Sequence, residues 1–209
     1  MNRDDGVPAV EQAEGGIEAF LADRPDDSRR VSLRPLAGRD EREFLDLVDA
    51  SADLHHPWMS LPATPQAFRA YVARYERPGE ESLLVCLRGT GAIAGLVNIS
   101  SIIRGRFQSG SVSYAAFAPT AGQGYLSEGL GLVLHYAFEQ LRLHRLEAQI
   151  QPGNLASLKL VRRSGFRKEG YSPDLLFIDG AWRDHERWAI TSTMMDIGPT
   201  DPHPTLPER

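Results

Sequence analysis

The sequence predicts a mixed α/β domain built on one sheet. Three observations carry that expectation. Segments of strand length, such as VSLRPL, SLLVCLR and RLEAQIQ, interleave with segments whose apolar residues recur at helical spacing. Their order is β-α-α-β-β-β-α-β-α-β-β. That is not a regular βα alternation, and it contains one strand–helix–strand crossover, expected to be right-handed. The chain has 209 residues, 42% of them hydrophobic, which suffices for one well-buried core.

VSLRPL alternates and reads as the first strand, and Arg39 to Ala50 reads as a helix. HHPWMSLPATP carries three prolines and reads as a loop, followed by a helix in QAFRAYVARYE. SLLVCLR and AIAGLVNISSI are strands joined by the turn-like GTG. After the polar RGRFQSG, SVSYAAFAP is a strand that Pro119 ends. The next helix is expected from about Gly122 to Leu143, because Leu126, Leu130, Val133, Leu134, Ala137, Phe138 and Leu141 share one face. RLEAQIQ is a strand with Leu146, Ala148 and Ile150 on one side. NLASLKLVRRSG is a helix capped by Asn154 and stopped by Gly165. The final hairpin, in YSPDLLFIDGAWRDHERWAIT, turns at Asp179-Gly180, a pair suited to positive φ.

Residues 1–29 are rich in Asp, Glu, Gly and Pro and are expected to be a flexible arm. Residues 196–209, with four prolines, are expected to be a flexible tail, so the domain occupies 30–195. A formal net charge of -5 does not suit a general nucleic-acid binder, and no direct nucleic-acid partner is expected. No apolar stretch is long enough to span a membrane, and the acidic start does not resemble a secretory signal, so a cytoplasmic location is expected. The single cysteine, Cys86, sits in the apolar run SLLVCL and reads as a buried strand residue rather than a nucleophile. His55 and His56 lack the further ligands of a recognisable spacing, and no metal is expected.

The stretch AFAPTAGQGYLSEGLGLVL (116–134) places Gly122 and Gly124 between a strand and a helix. A helix N-terminus leaves N–H groups unpaired and carries partial positive charge. Glycines there let an anion reach those groups. On this motif alone a phosphate cradle and a plain strand-to-helix turn fit equally well. No Gly-Lys-Ser/Thr follows, and Ser127 stands where a dinucleotide fingerprint wants glycine. Further on, in QPGNLASLKLVRRSGFRKEG, Asn154 opens a helix and Ser157 lies three residues later, in its first turn.

AGQGYLSEGLGLVLHYAF, HRLEAQIQPGNLASLKLVRRSGFRKEG and DGAWRDHERWAI, in this order, resemble the GNAT superfamily of acyl-CoA-dependent N-acyltransferases. More narrowly they resemble the Rim-type branch, which is ribosomal-protein N-terminal alanine acetyltransferase-like. The resemblance spans about residues 31–192. It departs at two positions: Ala121 stands where Arg or Gln is usual, and Leu126 where Gly or Ala is usual. It implies the GNAT fold, a mixed central β-sheet splayed between two central strands and flanked by helices.

The resemblance also implies site residues. Acetyl-CoA, or another short acyl-CoA, would lie in the V between the strand ending at Phe117 and RLEAQIQ. Pantetheine would pair along Ala116, Phe117 and Ala118 as an added strand does. The pyrophosphate would sit on the cradle of Ala121, Gly122, Gln123, Gly124, Tyr125, Leu126 and Ser127. Asn154 would bond near the acyl end or the pantetheine, and Ser157 would face the CoA sulfur and serve the leaving thiolate. A backbone N–H near Ala115 or Ala116 would meet the oxyanion. Tyr114, beside the strand break, is a candidate for catalysis and acceptor binding, and Trp58 and Asp184 are further acceptor candidates. No single base stands out among Tyr114, Asp184, His185 and Glu186, and Glu128 reads as structural.

The implied reaction is direct acetyl transfer to a primary amine, with the N-terminal α-amine of a protein or peptide as first expectation. Such an amine titrates at ~7.7–8.0 and needs less help than a Lys amine at ~10.4. The alternatives are a small-molecule amine or antibiotic, a lysine, a larger acyl group such as succinyl, or an acyl-CoA-binding module without turnover. Arg104 and Arg106 read as a solvated loop, or as partners of an acidic acceptor or the CoA 3′-phosphate. A homodimer is the expected assembly.

Overall fold

The computed structural model describes residues 29–197. The expected arm and tail therefore lie outside the described residues, apart from Arg29, Asp196 and Ile197. Seven strands form one sheet in the order β1-β2-β3-β4-β5-β7-β6. They are β1 (Val31–Pro35), β2 (Glu81–Leu87), β3 (Ile93–Ile103), β4 (Ser109–Ala116), β5 (Arg145–Ile150), β6 (Arg167–Ile178) and β7 (Ala181–Thr191). The helices are α1 (Glu41–Ala50), the single turn α2 (Ala52–His55), α3 (Pro65–Tyr75), α4 (Tyr125–His135) and α5 (Leu155–Arg163). This is the mixed, helix-flanked sheet that the element order predicts.

Neighbouring strands are antiparallel except β4 and β5, which the α4 crossover makes parallel. Those two pair only from Ser109↔Arg145 to Ser111↔Glu147. Beyond that point they part, leaving Val112–Ala116 and Ala148–Ile150 unpaired with one another. A sheet opened in its middle exposes main-chain donors and acceptors that a ligand can use.

Apolar layers cover both faces. Val97, Val112, Leu146, Ala148, Ile150 and Trp188 pack with Leu130 and Val133 of α4 and Leu158 and Val161 of α5. Leu84, Leu96, Ala115 and Phe117 pack with Phe44 of α1 and Phe68 of α3. The continuous apolar run of β2 follows from burial on both sides, since Leu83, Leu84, Val85 and Cys86 are all buried. α4 lies very close to the sheet. A Cβ on Gly129 would stand 2.4 Å from Val85 Cγ2, so only glycine fits there.

Several boundaries differ from the sequence expectation, each for a visible reason. α4 starts at Tyr125 rather than Gly122, because Gly122 (φ 77°) and Gly124 (φ 84°) are both left-handed. Its last turn widens into a π-helix over Tyr136–Gln140, where the Leu141 N–H reaches back to the Tyr136 carbonyl at 3.0 Å. β4 begins earlier and ends at Ala116, before Phe117, since the Thr120 N–H closes a turn on the Phe117 carbonyl at 3.0 Å. The first helix opens with a separate 3-10 turn at Gly38–Asp40. Other expectations hold: Asn154 caps α5, Gly165 (φ 88°) ends it, and Asp179 and Gly180 both have positive φ at the hairpin tip.

Candidate active site

The start of α4 is built as a row of free donors. Helical bonding begins with the Glu128 N–H on the Gly124 carbonyl at 3.1 Å. The N–H groups from Gly124 to Ser127 lie ahead of that first bond and face out of the helix end. A Cβ on Gly122 would meet nothing within 4 Å, so the loop is open on that side. Leu126 does not crowd this opening. It turns inward, and its Cδ1 would lie 3.0 Å from a Cβ on Gly95 of β3, which is why a bulky residue is accommodated there.

A cation joins the helix end, one that sequence reasoning missed. The Arg30 guanidinium donates to the Gln123 carbonyl at 3.1 Å, pairs with Glu128 at 3.0 Å and lies 4.7 Å above the Tyr125 ring. Glu128 also accepts the N–H groups of Arg30 and Val31 at 2.7 and 3.3 Å. Glu128 thus ties the start of β1 to α4, the structural role expected of it. Ala121 brings no side-chain cation to this loop, but Arg30 does, from 93 positions away along the chain. No local pattern in the sequence signals such a contact.

The opening between β4 and β5 holds a cleft of about 180 Å³. Tyr114, Ile150, Asn154 and Ser157 line it on the α5 side. Because side chains alternate along a strand, Ser113 and Gln149 reach it from the opposite face, joined by Trp58, Met59, Gln151 and His185. Leu176 and Ile178 of β6 close one end. The fold therefore brings Trp58, Tyr114, Asn154 and Ser157 to one place, as the sequence suggests. It opens that place from both faces of the sheet.

The local bonding separates poised groups from committed ones. Asn154 Oδ1 accepts the Ser157 N–H at 3.1 Å, a cap that fixes the Asn154 side chain at the start of α5 beside the cleft. Burial pushes the Tyr114 phenol far above its ordinary range, and its hydroxyl donates to the Ser157 carbonyl at 3.4 Å. It keeps its proton near neutral pH. Glu186 is engaged by Lys168 at 2.6 Å and by the Trp188 indole N–H at 3.0 Å. His185 is 2% exposed, with Nδ1 2.8 Å from the Arg183 carbonyl. Trp58 rests on Gly153, where a Cβ would come within 3.1 Å of its ring, and its carbonyl accepts from Gln151 at 3.1 Å.

Three expectations need correction. Asp184 does not line the cleft. Its carboxylate holds the Tyr171 hydroxyl and the Asp174 N–H, which stabilises the irregular stretch of β6 between Ser172 and Leu176. The Ala116 carbonyl already faces His55 Nε2 at 2.8 Å, and the Ala118 N–H donates to Ser51 at 2.9 Å. Those two groups are not free for a ligand; the unpaired edge of β4 is the part that remains. Arg104 is not a solvated loop residue either, because it donates to the Leu141 carbonyl at the end of the π-turn. Cys86 is buried, and burial raises its thiol pKa, which leaves it unreactive.

Beside the cleft, past Met59, lies a second hollow of about 250 Å³. It holds Asp49, His56, Ser60 and Asp179. Ser60 donates to Asp179 at 2.7 Å, which ties the Pro-rich loop to the hairpin tip. Among the described residues, no cluster of three or more His, Cys, Asp or Glu is arranged to hold a metal ion, and no helix is long and apolar enough to cross a membrane.

Direct transfer from a thioester to an amine requires that donor and acceptor reach one point from two sides. The parted sheet supplies both approaches, the unpaired β4 edge suits the amide groups of pantetheine, and the free N–H row suits a pyrophosphate. This is the architecture of an acyl-CoA-dependent N-acyltransferase. Residues 30–167 match the acetyltransferase (GNAT) domain, and the chain belongs to that family. It is an N-acetyltransferase that uses acetyl-CoA. A probable N-acetyltransferase, YjcK of Bacillus subtilis (strain 168), is 30% identical over 170 residues, covering 78% of this chain and 94% of that protein. The ribosomal protein uS5 alanine N-acetyltransferase of Escherichia coli (strain K12) is 38% identical over 100 residues, covering 48% of this chain and 52% of the relative. Among solved structures, Mycobacterium smegmatis RimJ in complex with CoA-disulfide superposes with a TM-score of 0.73 at 26% identity, over 78% of this chain and 82% of that one. Spermidine N-acetyltransferase from Vibrio cholerae, in complex with CoA and spermine, shares the fold, with a TM-score of 0.69 at 21% identity over 79% of this chain and 97% of that one.

Proposed function

We propose that this chain acetylates the N-terminal α-amine of a protein or peptide. The observation that carries the reading is the wall of the cleft. Its acceptor side consists of Trp58, Met59, Ser113, Gln149, Gln151 and His185, with no carboxylate. A polycation at the reaction point would need acidic partners. A chain terminus needs one place for its amine and neutral groups for its first amides, which Ser and Gln supply. The α-amine is also partly neutral near pH 7, since its pKa is ~7.7–8.0. The uS5-alanine acetyltransferase relative supports the same acceptor class.

In this reading the N–H groups from Gly124 to Ser127 hold the pyrophosphate, with Arg30 beside them; the Gln123 N–H is taken by the Thr120 carbonyl at 3.4 Å. The free edge of β4 pairs with the pantetheine. Asn154 bonds near the acyl end, Ser157 meets the departing sulfur, and Tyr114 packs against the thioester. Trp58 covers the acceptor's first residue. A second reading has one observation in its favour. Asp49 and Asp179 in the adjacent hollow suit a small polyamine, the acceptor class of the spermidine enzymes that share this fold.

The test is release of free CoA thiol from acetyl-CoA with a panel of acceptors. Peptides beginning with Ala or Ser, blocked peptides with one internal Lys, and spermidine would be compared at pH 7.5. Turnover confined to the free α-amino peptides is the expected result. Turnover confined to spermidine, or to the lysine peptide, would overturn it.

A further inference from the structure

We propose that His185 is the general base that takes the proton from the acceptor amine. The inference rests on the reading that a primary amine enters from the acceptor face of the cleft. It goes further by naming the atom, Nε2, that receives the proton.

The residues lining the cleft contain two titratable side chains, Tyr114 and His185. Tyr114 keeps its proton, as shown above. The two carboxylates that flank it on β7 are committed elsewhere: Asp184 to Tyr171 and Asp174, and Glu186 to Lys168 and Trp188. His185 remains.

Its placement fits the task. Along β7, Trp188 and Ile190 point into the α4–α5 layer, so the odd-numbered neighbours point the other way. His185 thus shares its face with Ser113, Gln149 and Gln151, opposite Asn154 and Ser157. An acyl group presented from the α5 side meets an amine presented from the His185 side. The Arg183 carbonyl 2.8 Å from Nδ1 can only accept, so Nδ1 carries the proton. Nε2 then keeps its lone pair, and no described residue bonds to it.

The electrostatic surroundings keep the ring neutral. Burial lowers the His185 pKa and outweighs the opposing effects of the Arg183 carbonyl and the Asp184 charge. Ser172 is its neighbour across β6, and the groups that line the cleft with it on the same face are neutral: Ser113 on β4, Gln149 on β5, Gln151 after it, and Trp58 and Met59 in the loop.

The step balances. The amine nitrogen bonds to the thioester carbonyl carbon, and the carbon–sulfur bond breaks with its electron pair on sulfur. The proton lost by nitrogen goes to His185 Nε2 and then to solvent. The thiolate takes a proton from water or through the Ser157 hydroxyl.

Two measurements test this. Nitrogen NMR of the labelled wild type should show His185 neutral at pH 7 with its proton on Nδ1. His185→Gln should lower kcat on the order of 10²-fold and remove the acidic limb of the kcat–pH profile, while CoA affinity stays within twofold. His185→Ala should recover activity with added imidazole. A proton fixed on Nε2 across pH 5–8 would overturn the proposal without any acceptor being involved. So would a His185→Gln enzyme within threefold of wild type with an unchanged pH profile. The kinetic arm uses whichever amine the wild type turns over, so failure of the α-amine reading appears in the wild type alone.

Discussion

Gly129→Ala tests how α4 holds the cofactor cradle against the sheet. The added Cβ would stand 2.4 and 2.6 Å from the two Val85 methyl carbons and 3.1 Å from Val85 Cβ. Carbon atoms prefer roughly 3.5–4.0 Å. Val85 has no room to yield: it is fully buried, β-branched, and paired with Leu33 on one side and Gly95 on the other. The helix has to move outward by about 1 Å to restore contact distance. Overpacking of this kind costs about 1–3 kcal/mol. Replacing a helical Gly by Ala returns up to about 1 kcal/mol. Gly131→Ala isolates the two effects, since its Cβ would meet nothing within 4 Å on the same helix. It collects the helix gain alone. The difference between the two variants is then the overpacking cost, about 1–3 kcal/mol, or roughly 2–12 °C in Tm for a domain of this size. Urea and thermal unfolding read the stability, and calorimetric titration with CoA reads the cradle. Gly129→Ala should also bind CoA more weakly, while Gly131→Ala should not. Equal stability of the two alanine variants would refute the argument that α4 is seated on Val85.

Further outcomes follow from the same geometry. Gly124→Ala forces an L-residue to φ 84° and brings its Cβ to 3.3 Å from Arg30 Nη2. The strain of about 1–2 kcal/mol should raise the CoA Kd roughly 5- to 30-fold by calorimetry if it falls on the cradle. Ser157→Ala should lower kcat and leave the CoA Kd nearly unchanged, because the Asn154 cap bonds the Ser157 backbone rather than its hydroxyl. Trp58→Ala should raise the acceptor KM more than it lowers kcat in steady-state assays. Asp184 is held below the usual carboxylate range, first by the Tyr171 hydroxyl and then by the Asp174 N–H. Its stabilisation is therefore present above the unfolded carboxylate pKa and lost as pH falls through the depressed value. Wild type and Asp184→Asn should differ in Tm by a constant amount from pH 5 to 8, and the gap should close below about pH 4.

The cradle was legible because its signal is local. Two glycines before an apolar helical stripe announce a turn with positive φ and a free helix end, and both glycines are left-handed in the structure. Asn154 and Ser157 were legible for the same reason, as a cap and its partner one turn apart. The Asp179-Gly180 tip followed from residue type alone. The exact start of α4 was less legible, because the apolar stripe says nothing about the two residues that curl before the first helical bond.

What the sequence by itself determined, then, is the set of elements, their order, and the family to which the glycine and Asn-x-x-Ser segments point. These depend on contacts within a few residues, which spacing and residue type record. Only the tertiary structure decided which distant groups meet. It brought Arg30 to Gln123 and Glu128, engaged Asp184 and Glu186 away from the cleft, closed the Ala118 amide with Ser51, and left His185 facing the opening. Such pairings depend on strand register and on where β4 and β5 part. Both are set by the packing of two apolar layers at once, and no short stretch of chain encodes them.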